Sequence, residues 1–197
     1  MIVSHKHKFV FVKIPKTAGE SFVSVLEQYA AMDLWNTDLG NHERYSDIIL
    51  ENRDFEKYFS FAFVRNPYEL KVSRYFYVKE VEKVCSCTSF VEWVTLGSPV
   101  KMLDETQSKE DWFPWSQLRF LMNKERELAV DFIGRFENLQ EDFNTICDKI
   151  GIPRQQLPHK NKSKHKHYTE YYDDETREIV AEKYAKDIDH FGYEFGE

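Results

Sequence analysis

Cysteine is scarce in this chain, and its arrangement limits the chemistry that the sequence supports. Three cysteines occur among 197 residues, at Cys85, Cys87 and Cys147. An odd number without a repeated spacing provides neither a disulfide framework nor a complete set of zinc ligands. We therefore expect no bound metal, and we expect Cys85 and Cys87 to be solvated or buried thiols rather than an oxidised pair.

Long apolar runs are missing as well. No stretch reaches the roughly 18 apolar residues that indicate a membrane-spanning helix, and the segment from Met1 to Lys8 lacks the apolar core of a signal peptide. We expect a cytoplasmic chain without a membrane span. A luminal domain separated from its membrane anchor would have the same features.

Positive charge is also in deficit. The chain has 27 Lys and Arg against 34 Asp and Glu, which gives a net charge of -7 at neutral pH. General nucleic-acid binders carry a basic surface, so the sequence disfavours that class. Any anion-binding site must then be a local concentration of basic groups.

Apolar and aromatic residues, in contrast, are plentiful. They make up 42% and 16% of the chain, which is typical of a globular protein, and the length suits a single domain over 1–197. Apolar runs alternate with helical patterns, and this alternation predicts an α/β fold with a parallel β-sheet flanked by helices. The strands are predicted at 8–14, 58–64 and 130–136, and the helices at 19–31, 67–83, 88–95, 138–150 and 173–186, with one more beginning near Pro114.

The first predicted strand leads into a short loop with Pro15, Lys16 and Gly19, and a helical pattern follows at once. At such a junction, backbone N–H groups and the helix dipole attract phosphate, and Lys16 adds a full positive charge. The Walker pattern places its lysine directly after a glycine. Lys16 precedes Gly19, so an ordinary ATP or GTP site is disfavoured.

Two other basic features indicate an anionic ligand. Arg65 follows the second predicted strand, and strand ends of this kind line the ligand crevice of a parallel sheet. Ser73 lies about two helical turns further on. The segment 160–167 contains four lysines, two histidines and no acidic residue, which favours a phosphate contact over a solvated loop.

Four stretches, in this order, resemble the sulfotransferase family. They are KIPKTAGESF (13–22), FAFVRNPYELKVSRYFY (61–77), DFIGRFENLQEDF (131–143) and the C-terminal stretch LPHKNKSKHKHYTEYYDDETREIVAEKYAKDIDHFGYEF (157–195). The first two motifs at this spacing carry most of the specificity. The similarity is greatest to the branch that modifies carbohydrates in the Golgi, typified by heparan sulfate 2-O- and chondroitin-type enzymes.

This resemblance implies a P-loop-like, nucleotide-binding sulfotransferase fold and a defined reaction. A sulfuryl group would pass from 3′-phosphoadenosine 5′-phosphosulfate (PAPS) to an acceptor hydroxyl, usually on a sugar, without a catalytic metal. Arg65 and Ser73 match the family's 3′-phosphate site. The matching 5′-phosphosulfate loop consists of Lys16, Thr17, Ala18, Gly19, Glu20 and Ser21, and a segment that closes over the nucleotide matches Lys162, Ser163, Lys164 and Lys166.

Transfer of a sulfuryl group requires a base for the acceptor hydroxyl and positive charge near the leaving phosphate. Lys16 suits the second role. His42 is the favoured base, because histidine titrates near the working pH and its place between the first two motifs resembles that of the catalytic histidine in 2-O-type enzymes. Glu43 and Glu20 are alternative bases, and Glu20 stands where relatives often have Thr or Ser.

Acceptor contacts are expected from residues on both sides of the second motif. They are His42, Arg44, Trp112, Trp115 and Gln117, of which Trp115 is equally suited to the core. Two other functions stay open. A nucleotide kinase-like phosphotransferase would need a Walker lysine and carboxylates for Mg²⁺, and a non-catalytic relative would bind PAPS or its product PAP without transfer.

Overall fold

Two compact units make up the chain. The computed structural model describes residues 1–30, 44–83, 85, 87–98, 116–158 and 165–197. The first unit comprises Met1–Arg65 and Gln117–Lys162, and the second comprises Asn66–Ser116 and Ser163–Glu197. Each unit has its own cluster of buried apolar side chains.

The first unit contains a four-stranded sheet whose order in space follows the chain, with β1 (Ile2–Ser4), β2 (Phe9–Val12), β3 (Phe59–Val64) and β4 (Phe132–Arg135). The pairs β2–β3 and β3–β4 are parallel, which confirms the three predicted strands and the parallel sheet. Strand β1 was not predicted. It pairs antiparallel with β2 after a tight turn in which Lys8 has a φ of 53°, so the sheet is mostly parallel rather than wholly so.

Helices flank this sheet or form the second unit. In chain order they are α1 (Gly19–Leu26), α2 (Tyr45–Glu51), α3 (Pro67–Phe76), α4 (Phe90–Thr95), α5 (Gln117–Leu121), α6 (Leu139–Ile150), α7 (Asp174–Lys183) and α8 (Ala185–Phe191). The helix predicted at 67–83 is found as α3 with a π-helical continuation, Tyr77–Glu82. The one predicted at 173–186 divides at Tyr184 into α7 and α8.

Aromatic packing holds α1 and α6 against the sheet of the first unit. Phe22 of α1 stacks on Phe63 of β3 with ring centroids 4.2 Å apart, and Phe143 of α6 meets Phe22 edge-on at 5.5 Å. Gly134 of β4 lies beneath the Phe63 ring, where an added Cβ would come within 2.4 Å of a ring carbon. This close approach explains the glycine in the middle of a strand.

Two helix caps of the second unit follow from local sequence. The Asn66 side chain accepts a hydrogen bond from the Tyr68 N–H at 3.1 Å, and Pro67 occupies the first turn of α3, as proline prefers. Asp173 and Thr176 form a capping box at the start of α7. Tyr75, Trp93 and Val180 then bring α3, α4 and α7 into one buried cluster.

The cysteines are free thiols, with Cys87 and Cys147 buried and Cys85 partly exposed, as expected. In the described ranges, no three His, Cys, Asp or Glu side chains are arranged to hold a metal ion. None of the helices within those ranges is both long and apolar enough to cross a membrane.

Candidate active site

The loop between β2 and α1 has an unusual backbone. Lys16 and Ala18 adopt left-handed conformations, with φ values of 66° and 63°, although neither is glycine. Such conformations cost about 1–3 kcal/mol each and persist where the surrounding structure requires them. Thr17 lies between them, fully buried, and its Oγ1 donates a hydrogen bond to the carbonyl O of Ile14 at 3.0 Å. The loop is therefore held in one tight conformation.

Helix α1 begins without a side-chain cap. Its N-cap is Ala18, which has no oxygen to accept a bond from the first turn. The carbonyl O of Ala18 accepts from the N–H groups of Ser21 and Phe22 at 2.9 and 3.3 Å. Because the first N–H groups of a helix have no intrahelical acceptor, an uncapped N-terminus directs amides and the positive end of the dipole toward an anion.

Glu20, in the first turn of α1, is paired with Lys13 at 2.5 Å between Oε1 and Nζ. The Lys13 side chain is 8% exposed, whereas that of Glu20 is 56% exposed. Lys13 reaches Glu20 by crossing Gly19, where an added Cβ would meet its Cγ and Cε at 2.8 Å. The acidic residue of this loop thus has a cationic partner from the end of β2.

Arg65, directly after β3, is 6% exposed and contacts the Lys16 loop. Its Nη1 donates a hydrogen bond to the carbonyl O of Lys16 at 3.1 Å. The guanidinium carbon lies 3.9 Å from the ring centroid of Phe136, a cation–π contact. Two stretches that the sequence identified separately as anion-binding elements therefore meet in the folded first unit.

The side chain of Gln117 makes two hydrogen bonds to the main chain of Arg65. Its Oε1 accepts from the Arg65 N–H at 2.8 Å, and its Nε2 donates to the Arg65 carbonyl O, also at 2.8 Å. Gln117 is 1% exposed. Both ends of its amide therefore bind Arg65, while the acceptor contact that the sequence predicted for this residue stays a prediction.

Ser73 and Lys166, predicted to bind the nucleotide, belong to the second unit. Ser73 is buried on α3. Lys166 is exposed and pairs with Glu170 at 3.1 Å, while the ring of the neighbouring His165 stacks on Phe76 at 5.3 Å. A joint site of Ser73, Lys166 and Arg65 stays a prediction.

Arg44 precedes α2 and makes a two-pronged ion pair with Asp47, at 2.7 Å from Nε and 3.2 Å from Nη2. The remaining predicted site residues lie outside the described ranges, and their roles stay predictions. They are His42, Glu43, Trp112, Trp115, Lys162, Ser163 and Lys164.

Sequence reasoning missed Lys13 and Phe136. Strand register could have indicated Phe136: Arg135 of β4 pairs with Val64 of β3, so the next residue on each strand, Phe136 and Arg65, come together. Lys13 had a weaker signal, as the one charged residue in an apolar run that leads into the loop.

The Sulfotransferase family model matches residues 1–194, a range that includes both units, and the chain belongs to this family. A protein of Archaeoglobus fulgidus, described as uncharacterized, is 34% identical over 105 residues, which cover 51% of this chain and 74% of that protein. The crystal structure of mouse sulfotransferase SULT7A1 complexed with PAP matches with a TM-score of 0.59 and 14% identity, covering 95% of this chain and 86% of that one. This likeness confirms the predicted α/β fold, with a mostly parallel sheet flanked by helices.

Proposed function

We propose that this protein transfers a sulfuryl group from PAPS to a hydroxyl acceptor. The observation that carries the proposal is the contact between Arg65 and the carbonyl O of Lys16. It brings a nearly buried guanidinium beside the Lys16 loop and the N-terminus of α1, so donor groups suited to the two anionic ends of one ligand lie next to each other. Family membership and the PAP in the SULT7A1 structure support a phosphosulfate nucleotide as that ligand.

The residues present fit the two charged ends of PAPS. The loop from Lys16 to Ser21, with its left-handed backbone and uncapped helix, would hold the phosphosulfate. Arg65 and Ser73 would take the 3′-phosphate, and Lys162, Ser163, Lys164 and Lys166 would lie over the nucleotide. The positive charge of Lys13 would offset the repulsion between the Glu20 carboxylate and the ligand.

In the proposed reaction the acceptor oxygen attacks sulfur in line, the bond from sulfur to the phosphate oxygen breaks, and PAP leaves. The ammonium group of Lys16 offsets the charge that grows on that oxygen, and the first amides of α1 assist. His42 accepts the proton of the acceptor hydroxyl, with Glu43 as the alternative. Glu20 suits this role less, because its carboxylate is engaged in the ion pair with Lys13.

For the acceptor we propose a carbohydrate or glycoconjugate, as in the Golgi branch that the motifs resemble. His42, Arg44, Trp112 and Trp115 would contact it. Arg44 lies directly before α2 and pairs with Asp47 through Nε and Nη2, so it would contact the acceptor from this position. Gln117, as an acceptor ligand, is the least supported of the set, because its amide binds Arg65.

Two measurements test the proposal. In competitive titrations of PAP, ATP and GTP, we expect PAP to bind most tightly, and a preference for ATP would point to a phosphotransferase instead. Transfer of labelled sulfuryl groups from PAPS to a panel of sugars and glycoconjugates should then yield a labelled product. Tight PAP binding without transfer to any acceptor would indicate a non-catalytic nucleotide-binding relative.

A further inference from the structure

We propose that Gln117 is a positioning residue for Arg65. By fixing the main chain of Arg65, Gln117 keeps the guanidinium in the place where it meets the anionic ligand. This inference rests on the proposed function, in which Arg65 is a ligand of the PAPS 3′-phosphate. It gives Gln117 a role through Arg65 rather than through the acceptor.

The main chain of Arg65 lies beyond the sheet and is held by a side chain. The ladder between β3 and β4 ends with the pair Val64 and Arg135, so Arg65 lies one residue beyond the last sheet pairing. Its N–H and C=O are nevertheless buried and require partners. The primary amide of Gln117 supplies both, at 2.8 Å each, and so takes the place of a neighbouring strand.

Gln117, which holds Arg65, is itself fixed by the packing of α5. Gln117 opens α5, a helix whose Leu118, Phe120 and Leu121 are buried and which packs against α2. Gln117 itself is 1% exposed. An amide anchored in this way cannot follow a moving strand end, so it restricts the main chain of Arg65 to one position.

The position of the Arg65 main chain determines where its guanidinium lies. From its fixed Cα, the Arg65 side chain reaches the Lys16 carbonyl O at 3.1 Å and the face of Phe136 at 3.9 Å. An arginine that is already ordered loses less conformational freedom when it binds a phosphate, and preorganisation of this kind increases affinity. Release of the main chain should therefore weaken ligand binding even though the charge is still present.

The test is a double-mutant cycle on PAP affinity, measured by calorimetry. Gln117→Met is the main variant, because it keeps the length of the side chain, adds no charge beside the anionic ligand and removes the hydrogen bonds to the Arg65 main chain. We expect PAP to bind about tenfold more weakly to Gln117→Met than to wild type. In the Arg65→Ala background the same change should have no further effect. Equal losses in both backgrounds would show that Gln117 acts on the fold and would overturn the proposal.

A matched control is available in the same unit. Gln140 also uses its amide on the main chain, where Oε1 accepts from the Leu157 N–H and Nε2 donates to the Gln155 carbonyl O, both at 2.9 Å. Gln140→Met should lower the melting temperature, as Gln117→Met does, and leave PAP affinity unchanged. If Gln140→Met weakens PAP binding to the same extent, general loss of stability explains the effect and the role of Gln117 is rejected.

The cycle separates this inference from the proposed function. A wild-type protein that does not bind PAP would overturn both. Wild-type binding with a Gln117→Met effect that is absent, or that is independent of Arg65, would overturn the role of Gln117 alone.

Discussion

Lys13 and Glu20 form an ion pair that crosses Gly19, with 2.5 Å between Nζ and Oε1. The aliphatic part of the Lys13 side chain lies against Gly19, so Lys13 can reach Glu20 only because residue 19 has no side chain. An unpaired carboxylate here would weaken the anion site proposed for this loop through like-charge repulsion. The ion pair with Lys13 offsets the charge of Glu20.

Gly19→Ala should disturb the loop. The new Cβ would lie 2.8 Å from Cγ and Cε of Lys13, so the lysine must move and its contact with Glu20 is lost. We expect a lower melting temperature and PAP affinity reduced by about tenfold. Truncation of the lysine removes the colliding atoms, so Gly19→Ala should cost much less when it is added to Lys13→Ala. Similar costs in the two backgrounds would argue against this packing.

Glu20→Gln separates an ion-pair role from a catalytic one. A glutamine cannot act as a base, yet it keeps the size of the side chain and can still accept a hydrogen bond from Lys13. We expect turnover within about threefold of wild type, since the substituted amide keeps a hydrogen bond to Lys13 and only the charge of the pair is lost. His42→Ala is the comparison, and it should lower turnover strongly with little change in PAP affinity. A large loss of turnover in Glu20→Gln with normal PAP binding would identify Glu20 as the base.

The parts of this fold that the sequence predicted are those set by residues close together in the chain. The strand–loop–helix passage around Lys16 and the Asn66-Pro67 helix start depend on residues close together in the chain. The Arg65–Gln117 contact joins residues 52 positions apart, and no periodicity predicts it. Strand β1 was missed for a related reason: its three residues are too few for a pattern, and pairing with β2 alone defines it.

Lys16→Asn tests the charge of the loop without altering its backbone. Lys16 has a φ of 66°, and asparagine is among the side chains that best tolerate this conformation. We therefore expect Lys16→Asn to fold like wild type, to bind PAP more weakly by about tenfold, and to lose at least a hundredfold in turnover, because charge at the leaving oxygen is stabilised mainly in the transition state. Lys6→Asn, on the exposed turn between β1 and β2, is the control and should be silent. Normal turnover in Lys16→Asn would place the leaving group elsewhere.

Lys71 of α3 predicts how stability depends on pH. It is 4% exposed, and burial, followed by the nearby charges of Lys183 and Arg74, lowers its pKa from the ordinary 10.5 to about 7. Its Nζ lies 4.6 Å from the ring centroid of Trp93 and 5.8 Å from that of Tyr184. These aromatic faces favour the ammonium form, yet they do not compensate for its desolvation.

The sign of the effect follows from proton counts. Between pH 7 and about 10.5 the unfolded chain holds a proton on Lys71 that the folded chain has lost, so the free energy of unfolding should rise with pH in this window. Lys71→Met removes the titration while keeping an unbranched apolar side chain of similar length. One pKa unit corresponds to about 1.4 kcal/mol, so a shift from 10.5 to about 7 corresponds to at most about 5 kcal/mol. We expect the variant to be more stable than wild type by up to about this amount at pH 6, with the difference shrinking toward pH 10.5. Urea unfolding across this range measures it, with Lys186→Met on the exposed side of α8 as the control. A constant difference between Lys71→Met and wild type at every pH would mean that Lys71 is charged in the folded protein throughout.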